Sequence, residues 1–129
     1  MHHKIIGTPL QLPNGNTLPL SRAVKAGDFL FLSGQLGVDD NFNLADGIFE
    51  QTRLCINNML GILETANMNL DNVIKTTVWL TNVNDFADFN QVYAELFPQN
   101  TPPARSTVCS ALAIPGALVE IEAIAFSKG

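Results

Sequence analysis

Positive charge is scarce in this chain of 129 residues. Seven Lys and Arg stand against twelve Asp and Glu, for a net charge of −5, and the cations form no cluster. Nucleic-acid affinity rests on cations meeting phosphates, so this balance argues against a DNA or RNA binder. Histidine is almost absent too. His2 and His3 are the only two, both near the N-terminus. A Ser-His-Asp hydrolase therefore has no base to use, and a metal site built from His and Cys has almost no ligands. The two cysteines, Cys55 and Cys109, lie far apart and outside any CxxC pair. They read as reduced thiols of a cytoplasmic protein. No apolar run is long enough to cross a membrane. Met1-His2-His3-Lys4 opens no apolar leader, so no signal peptide is expected. Gly34 and Gly37 make no phosphate-binding fingerprint. Linkers, repeats and low-complexity segments are missing as well.

What is present is core material. Apolar residues make up 47% of the chain and charged residues 15%, enough for one ordinary domain, read as residues 1–129. Residues 22–25 and 28–32 pattern as strands around an Ala26-Gly27 turn, a hairpin whose second strand ends at Ser33-Gly34-Gln35. Residues 36–47 read as an irregular loop. Ile48, Thr52, Cys55, Ile56, Met59, Ile62, Leu63 and Ala66 fall near helical spacing, with Asp46 placed as a cap. Val73–Leu80 is rich in β-branched residues and reads as a strand. Phe86, Phe89, Tyr93 and Leu96 share one face of a second helix over 85–96. Residues 104–110 and 118–126 alternate as strands around a turn at 113–116. The order ββ-α-β-α-ββ predicts an α+β sandwich, a mixed sheet with both helices on one face. Two helices cover only one side of such a sheet. The other side, carrying Val119, Ile121, Ala123 and Ala125 or the opposite set, is partly apolar and is expected to be buried against another subunit.

Three charges stand inside the last two strands: Arg105, Glu120 and Glu122. A hairpin turning near residue 113 would bring Arg105 close to 120–122. One reading is a cross-strand ion pair that sets register. The other uses the guanidinium fork, which holds a carboxylate by two parallel hydrogen bonds, beside a carboxylate able to orient or deprotonate a water. That pair suits hydrolysis of a small carboxylic acid carrying a C=N bond, with no metal, cofactor or covalent nucleophile. Ser33, at a strand end, either reaches a ligand or satisfies backbone groups at a turn. Cys55 reads as core, and Cys109 as a buried thiol acting as a small hydrophobe.

Beyond these elements, Gly27 through Gly34-Gln35, Phe49-Glu50-Gln51-Thr52, Val73-Ile74-Lys75-Thr76-Thr77-Val78, Asp85-Phe86 with Phe89-Asn90 and Tyr93, Pro103-Ala104-Arg105-Ser106 and Val119-Glu120-Ile121-Glu122-Ala123 together resemble the RidA/YjgF family of enamine/imine deaminases along nearly the whole chain. The resemblance implies a chorismate-mutase-like fold and a homotrimer whose sheets form a central barrel, with sites in the clefts between subunits. It implies 2-aminoacrylate-type enamino and imino acids as substrates, hydrolysed to 2-keto acids and ammonia without a cofactor. Arg105 matches the family's carboxylate clamp and Glu120 the residue that holds the attacking water. Ser33, Gly34 and Thr107 match pocket positions. Two positions depart from the pattern. Leu20 stands where active members commonly carry a tyrosine, and Thr107 where a cysteine is common. The departure at Leu20 motivates an alternative, a non-catalytic trimeric binder of small carboxylate metabolites. A third activity attached to some members, RNA cleavage, is opposed by the net charge.

Overall fold

The computed structural model describes residues 3–128; Met1, His2 and Gly129 lie outside the described residues. Six strands form one sheet: β1 (His3–Ile6), β2 (Ala23–Ala26), β3 (Phe29–Leu36), β4 (Val73–Leu80), β5 (Ala104–Cys109) and β6 (Val119–Phe126). Two helices, α1 (Gly47–Thr65) and α2 (Phe86–Leu96), complete the fold. Strand order is β1-β2-β3-β6-β4-β5. Only β4 and β5 pair in parallel, which makes the sheet mixed, as expected. β1 has no counterpart in the sequence reading. His3, taken there as tail, opens this strand and pairs with Ala26.

The Ala26-Gly27 turn forms where the sequence places it, with Gly27 at φ 59°. The next strand departs from expectation. It does not stop at Ser33-Gly34 but runs through them to Leu36, with a register shift against β6 between Leu32 and Gln35. A bulge absorbs the irregular residues that a sequence reader takes for a stop. Asp46 sits at the N-cap of α1, though its side chain makes no capping hydrogen bond. Ile48, Thr52, Cys55, Ile56, Met59, Ile62 and Leu63 are all buried, the stripe the spacing predicts.

The larger correction concerns the last two strands. They are not a hairpin. β5 follows α2 to the outer edge of the sheet, and β6 inserts between β3 and β4. β3 and β4 both pair antiparallel to β6 and leave a slot one strand wide between them. Filling that slot buries Val119, Ile121, Ala123 and Ala125 under the helices. Their aliphatic side chains, small at Ala123 and Ala125, suit a central strand lying beneath packed helices. Both helices lie on this face. α1 packs against β3, β6 and α2, and the Tyr93 hydroxyl of α2 lies 2.8 Å from Thr76 Oγ1 of β4.

The opposite set therefore faces away from the helices. Phe29, Phe31, Ile74, Val108 and Phe126 are exposed there. Phe29 and Phe126 face each other across β3 and β6, ring centroids 5.2 Å apart. Such a patch on a single chain is the kind of surface that associates. β5 adds an edge strand with one side of its backbone unpaired.

Candidate functional site

Five of the residues singled out from the sequence meet in one cavity. Leu20, Ser33, Gly34, Glu120 and Glu122 line a space of about 680 Å³ at the bulged end of β3. Glu120 pairs across the sheet with Leu36 of β3 and Trp79 of β4, and so projects on the helix-free face. Its carboxylate lies directly over Gly34. A Cβ at position 34 would run into the Glu120 carboxylate, so a side chain there would push that carboxylate aside. Burial raises the Glu120 carboxyl above the ordinary carboxylate range, and the negative charge of Glu122 adds to the rise. Glu122 lines the same cavity. Ser33 donates its hydroxyl to the Ser21 carbonyl, and its backbone N–H donates to Arg22 O. Its side chain thus serves the backbone of the bulge.

Arg105 is elsewhere. It pairs with Thr76, which pairs with Ala123 across β4. Glu120 is thus two strands away, about 10 Å across and about 10 Å along the strands, on the other face of the sheet. Within one chain the two charges do not meet, because β4 stands between them. The cross-strand ion pair fails for the same reason.

Instead Arg105 rests on an aromatic bed. Its Cζ lies 4.9 Å from the Tyr93 ring centroid, 5.5 Å from Phe89 and 5.8 Å from Phe86. Tyr93 in turn stacks on Phe97 at 4.4 Å. Burial pushes the Tyr93 hydroxyl pKa up, which keeps it a neutral partner for Thr76. The ion pairs found among the described residues join Arg53 to Glu50 and Glu95. Arg105 has no carboxylate partner there. It opens onto a second, smaller depression of about 390 Å³ lined by Asn90, Tyr93, Ala94, Phe97 and the prolines at 98, 102 and 103. Thr107, two residues along β5, is half-buried on the same face as Arg105. Cys109, expected to be buried, is exposed, because it ends an edge strand. Cys55 is buried as expected and donates its thiol to Gln35 O at 3.1 Å.

Three residues near the candidate site were given no role from the sequence. Asn90 Oδ1 is buried without a partner in the depression that holds Arg105. Gln51, buried in α1, donates to Ala45 O (3.1 Å) and Gly116 O (3.2 Å) and accepts from Leu118 N–H (2.8 Å). Asn58 donates to Leu36 O (3.0 Å) and Val38 O (2.9 Å). These amides fix the loops that flank Glu120. The available signal was position: Gln51 and Asn58 fall in step with Cys55 and Ile62, and Asn90 with Phe86 and Tyr93, polar groups set in apolar stripes.

Among the described residues no helix is long and apolar enough to cross a membrane, and no group of three or more His, Cys, Asp or Glu could hold a metal ion.

Comparison with known proteins adds a consistent frame. The family model described as endoribonuclease L-PSP matches residues 14–127. A RutC family protein of Pyrococcus horikoshii is 44% identical over 112 residues, covering 85% of this chain and 88% of the relative. The human 2-iminobutanoate/2-iminopropanoate deaminase is 37% identical over 109 residues, covering 83% of this chain and 79% of that protein. The crystal structure of E. coli TdcF with bound serine superposes with a TM-score of 0.85 at 34% identity, covering 97% of this chain and 99% of that one. RidA from a Psychrobacter species superposes with a TM-score of 0.85, also at 34% identity, covering 96% and 99%.

Proposed function

Because the chain belongs to the endoribonuclease L-PSP family, which includes the RutC, RidA and YjgF proteins, we propose that it hydrolyses reactive 2-imino and 2-enamino acids to 2-keto acids and ammonia, at sites completed between copies of the chain in a homotrimer. The observation that carries this reading is the pair of unmatched charges. Glu120 lines a cavity on one face, Arg105 rests on an aromatic bed on the other, and among the described residues neither forms an ion pair. A neighbouring copy that covers the apolar sheet face can bring its Arg105 to this Glu120.

In such a cleft Arg105 grips the substrate carboxylate through its fork. The aromatic rings beneath it limit the poses the fork can adopt. Glu120 holds a water against the imine carbon. Its raised pKa makes it a stronger base than an ordinary carboxylate, and it takes a proton as the water oxygen bonds to carbon. Glu120 hands that proton to the nitrogen of the tetrahedral carbinolamine and takes the hydroxyl proton as the C–N bond breaks, so that ammonia leaves and the C=O bond of the keto acid forms. The protein's part is positioning and one proton, which an electrophilic C=N bond requires and little more. Ser33 shapes the bulge that seats Gly34 beneath Glu120, and Thr107 borders the clamp. The name of the human relative supports the chemistry. A second reading, capture of a small amino or carboxylic acid without turnover, draws on the serine bound in TdcF.

The test is hydrolysis of imines released by a pyridoxal-phosphate dehydratase acting on threonine or serine, with semicarbazide as competing trap. The protein should lower the semicarbazone signal. Arg105→Ala should lose about 30- to 3,000-fold in kcat/KM, the usual cost of removing one partner of a desolvated charge pair. An inactive wild type that still binds 2-ketobutyrate saturably would favour capture. An active Arg105→Ala would refute the mechanism.

A further inference from the structure

The depression that holds Arg105 contains an unmet acceptor beside an unmet donor. Asn90 Oδ1 is closed off from solvent and accepts from no donor. The Arg105 guanidinium is a planar fork of N–H donors. It meets three rings and, among the described residues, no carboxylate. The two groups share one surface. Phe86, Asn90 and Tyr93 stand at i, i+4 and i+7 of α2, a single stripe of its face. Arg105 Cζ lies 5.8 Å and 4.9 Å from the two ring centroids that flank Asn90 in that stripe.

Few donors can serve Asn90. Its oxygen is already covered within the single chain, so neither bulk water nor a neighbouring copy reaches it. Pro98, Pro102 and Pro103 in the lining carry no N–H. The Tyr93 hydroxyl is engaged with Thr76 Oγ1 at 2.8 Å, and the Phe97 N–H donates to Tyr93 O at 3.0 Å. Gln99 Nε2 donates to Ala94 O at 3.5 Å. Arg105 is the donor left over in this lining.

We infer that Asn90 is the positioning residue of the Arg105 clamp. When a carboxylate occupies the cleft, the guanidinium turns so that one N–H donates to Asn90 Oδ1 while another edge faces the ligand. This rests on Arg105 being the carboxylate clamp proposed above. The rings and the amide differ in what they hold. A ring attracts a cation over its face but resists little when the guanidinium rotates about the ring normal. A hydrogen bond is directional: the N–H must point at the oxygen, and that sets the rotation. With one N–H given to Asn90, a parallel pair remains for the carboxylate oxygens. Asn90 itself touches no substrate atom. An unmet buried oxygen is unfavourable in the empty chain, and the turn that accompanies the carboxylate relieves it.

Asn90→Leu keeps the size of the side chain and removes the acceptor. It should weaken binding of 2-ketobutyrate, read by calorimetric titration, by at least about tenfold, the low end of what a hydrogen bond to a charged group is worth. In imine hydrolysis the loss should fall on KM and leave kcat nearly unchanged, because the carboxylate is held alike before and during the reaction. The melting temperature of the ligand-free protein should rise, since methyl groups replace an unpaired buried oxygen. An Asn90 that merely supports the fold would lower it. Nitrogen NMR of the Arg105 side chain reads the contact directly. Saturating 2-ketobutyrate should slow rotation of the guanidinium more in the wild type than in Asn90→Leu. Equal binding by the two proteins, or weaker binding with a lowered melting temperature, overturns the positioning role and leaves the clamp standing. Wild-type Arg105 signals that show no hydrogen bond to Asn90 in the bound state overturn it whatever the variant does. A wild type that neither binds 2-ketobutyrate nor turns over imines refutes the clamp and this role together.

Discussion

The two ends of this molecule hold charge in opposite ways. Around Glu120 the surroundings are aliphatic and acidic, with the carboxylate pressed on Gly34 and raised in pKa by burial and a like-charged neighbour. Around Arg105 they are aromatic, and the cation lies over three rings with a partnerless amide oxygen beside it. Neither environment is what a protein builds for a structural ion pair, in which the opposite charge supplies most of the compensation. One end disfavours its own charge, and the other supports its charge without neutralising it. A chain folded alone leaves both needs unmet, and what each end lacks the other carries. The difference points to a function distributed over copies.

The strongest way to break that contrast is to separate its halves genetically. Arg105→Ala and Glu120→Gln should each be inactive alone. Unfolded, mixed in equal amounts and refolded together, they should recover about one quarter of wild-type activity, because about one site in four then receives an intact residue from each side. Recovery of nothing would mean that each site draws both residues from the same chain, which the strand order already makes difficult.

A smaller effect probes the aromatic end alone. Phe86 is 42% exposed, so truncating it costs the core little, yet its ring lies beside the guanidinium. Phe86→Ala should raise KM about two- to fivefold, the worth of an exposed cation–π contact, with kcat nearly unchanged. An equal fall in kcat would mean that the ring acts on the reacting atoms.

The finest effect belongs to the carboxylate end and appears only against pH. A raised Glu120 pKa means that the ionised base is lost while pH is still above the ordinary carboxylate range, so the acid limb of kcat/KM should stand higher than a free carboxylate would place it. Glu122→Gln removes the like charge and should move that limb down. The same shift has a stability sign. A raised folded-state pKa favours the folded chain below the unfolded pKa, and that advantage is lost as pH rises through the folded one. Glu120→Gln should therefore raise the melting temperature at neutral pH and give no gain in acid.

Much of the fold was legible because periodicity reports burial. α1, β4 and α2 emerge from their stripes nearly residue for residue, and of the α1 stripe Ala66 alone falls outside the helix, at its C-cap and partly buried. The order of strands was not legible. Periodicity is local, whereas the insertion of β6 between β3 and β4 depends on a slot that forms only after both crossovers are made. The candidate site suffered from that directly. Glu120, Ser33, Gly34 and Leu20 do share a cavity, but proximity in sequence suggested that Arg105 joined them. β1 went unseen because His3-Lys4-Ile5-Ile6 is short and mostly exposed. Cys109 was misplaced because alternation tells which face a residue occupies and not whether that face is covered at the sheet edge.

Gln51 and Asn58 reach the loops around Glu120 through main-chain atoms alone. Such anchors are blind to what the loop residues are. Substitutions at Asp39, Asp40, Phe42 or Ile114 can remodel the cavity lining while the amides continue to hold the backbone in place. In evolutionary terms the fold separates the inheritance of a reaction from the inheritance of its substrate. Lineages can exchange the lining one residue at a time without passing through an unfolded ancestor.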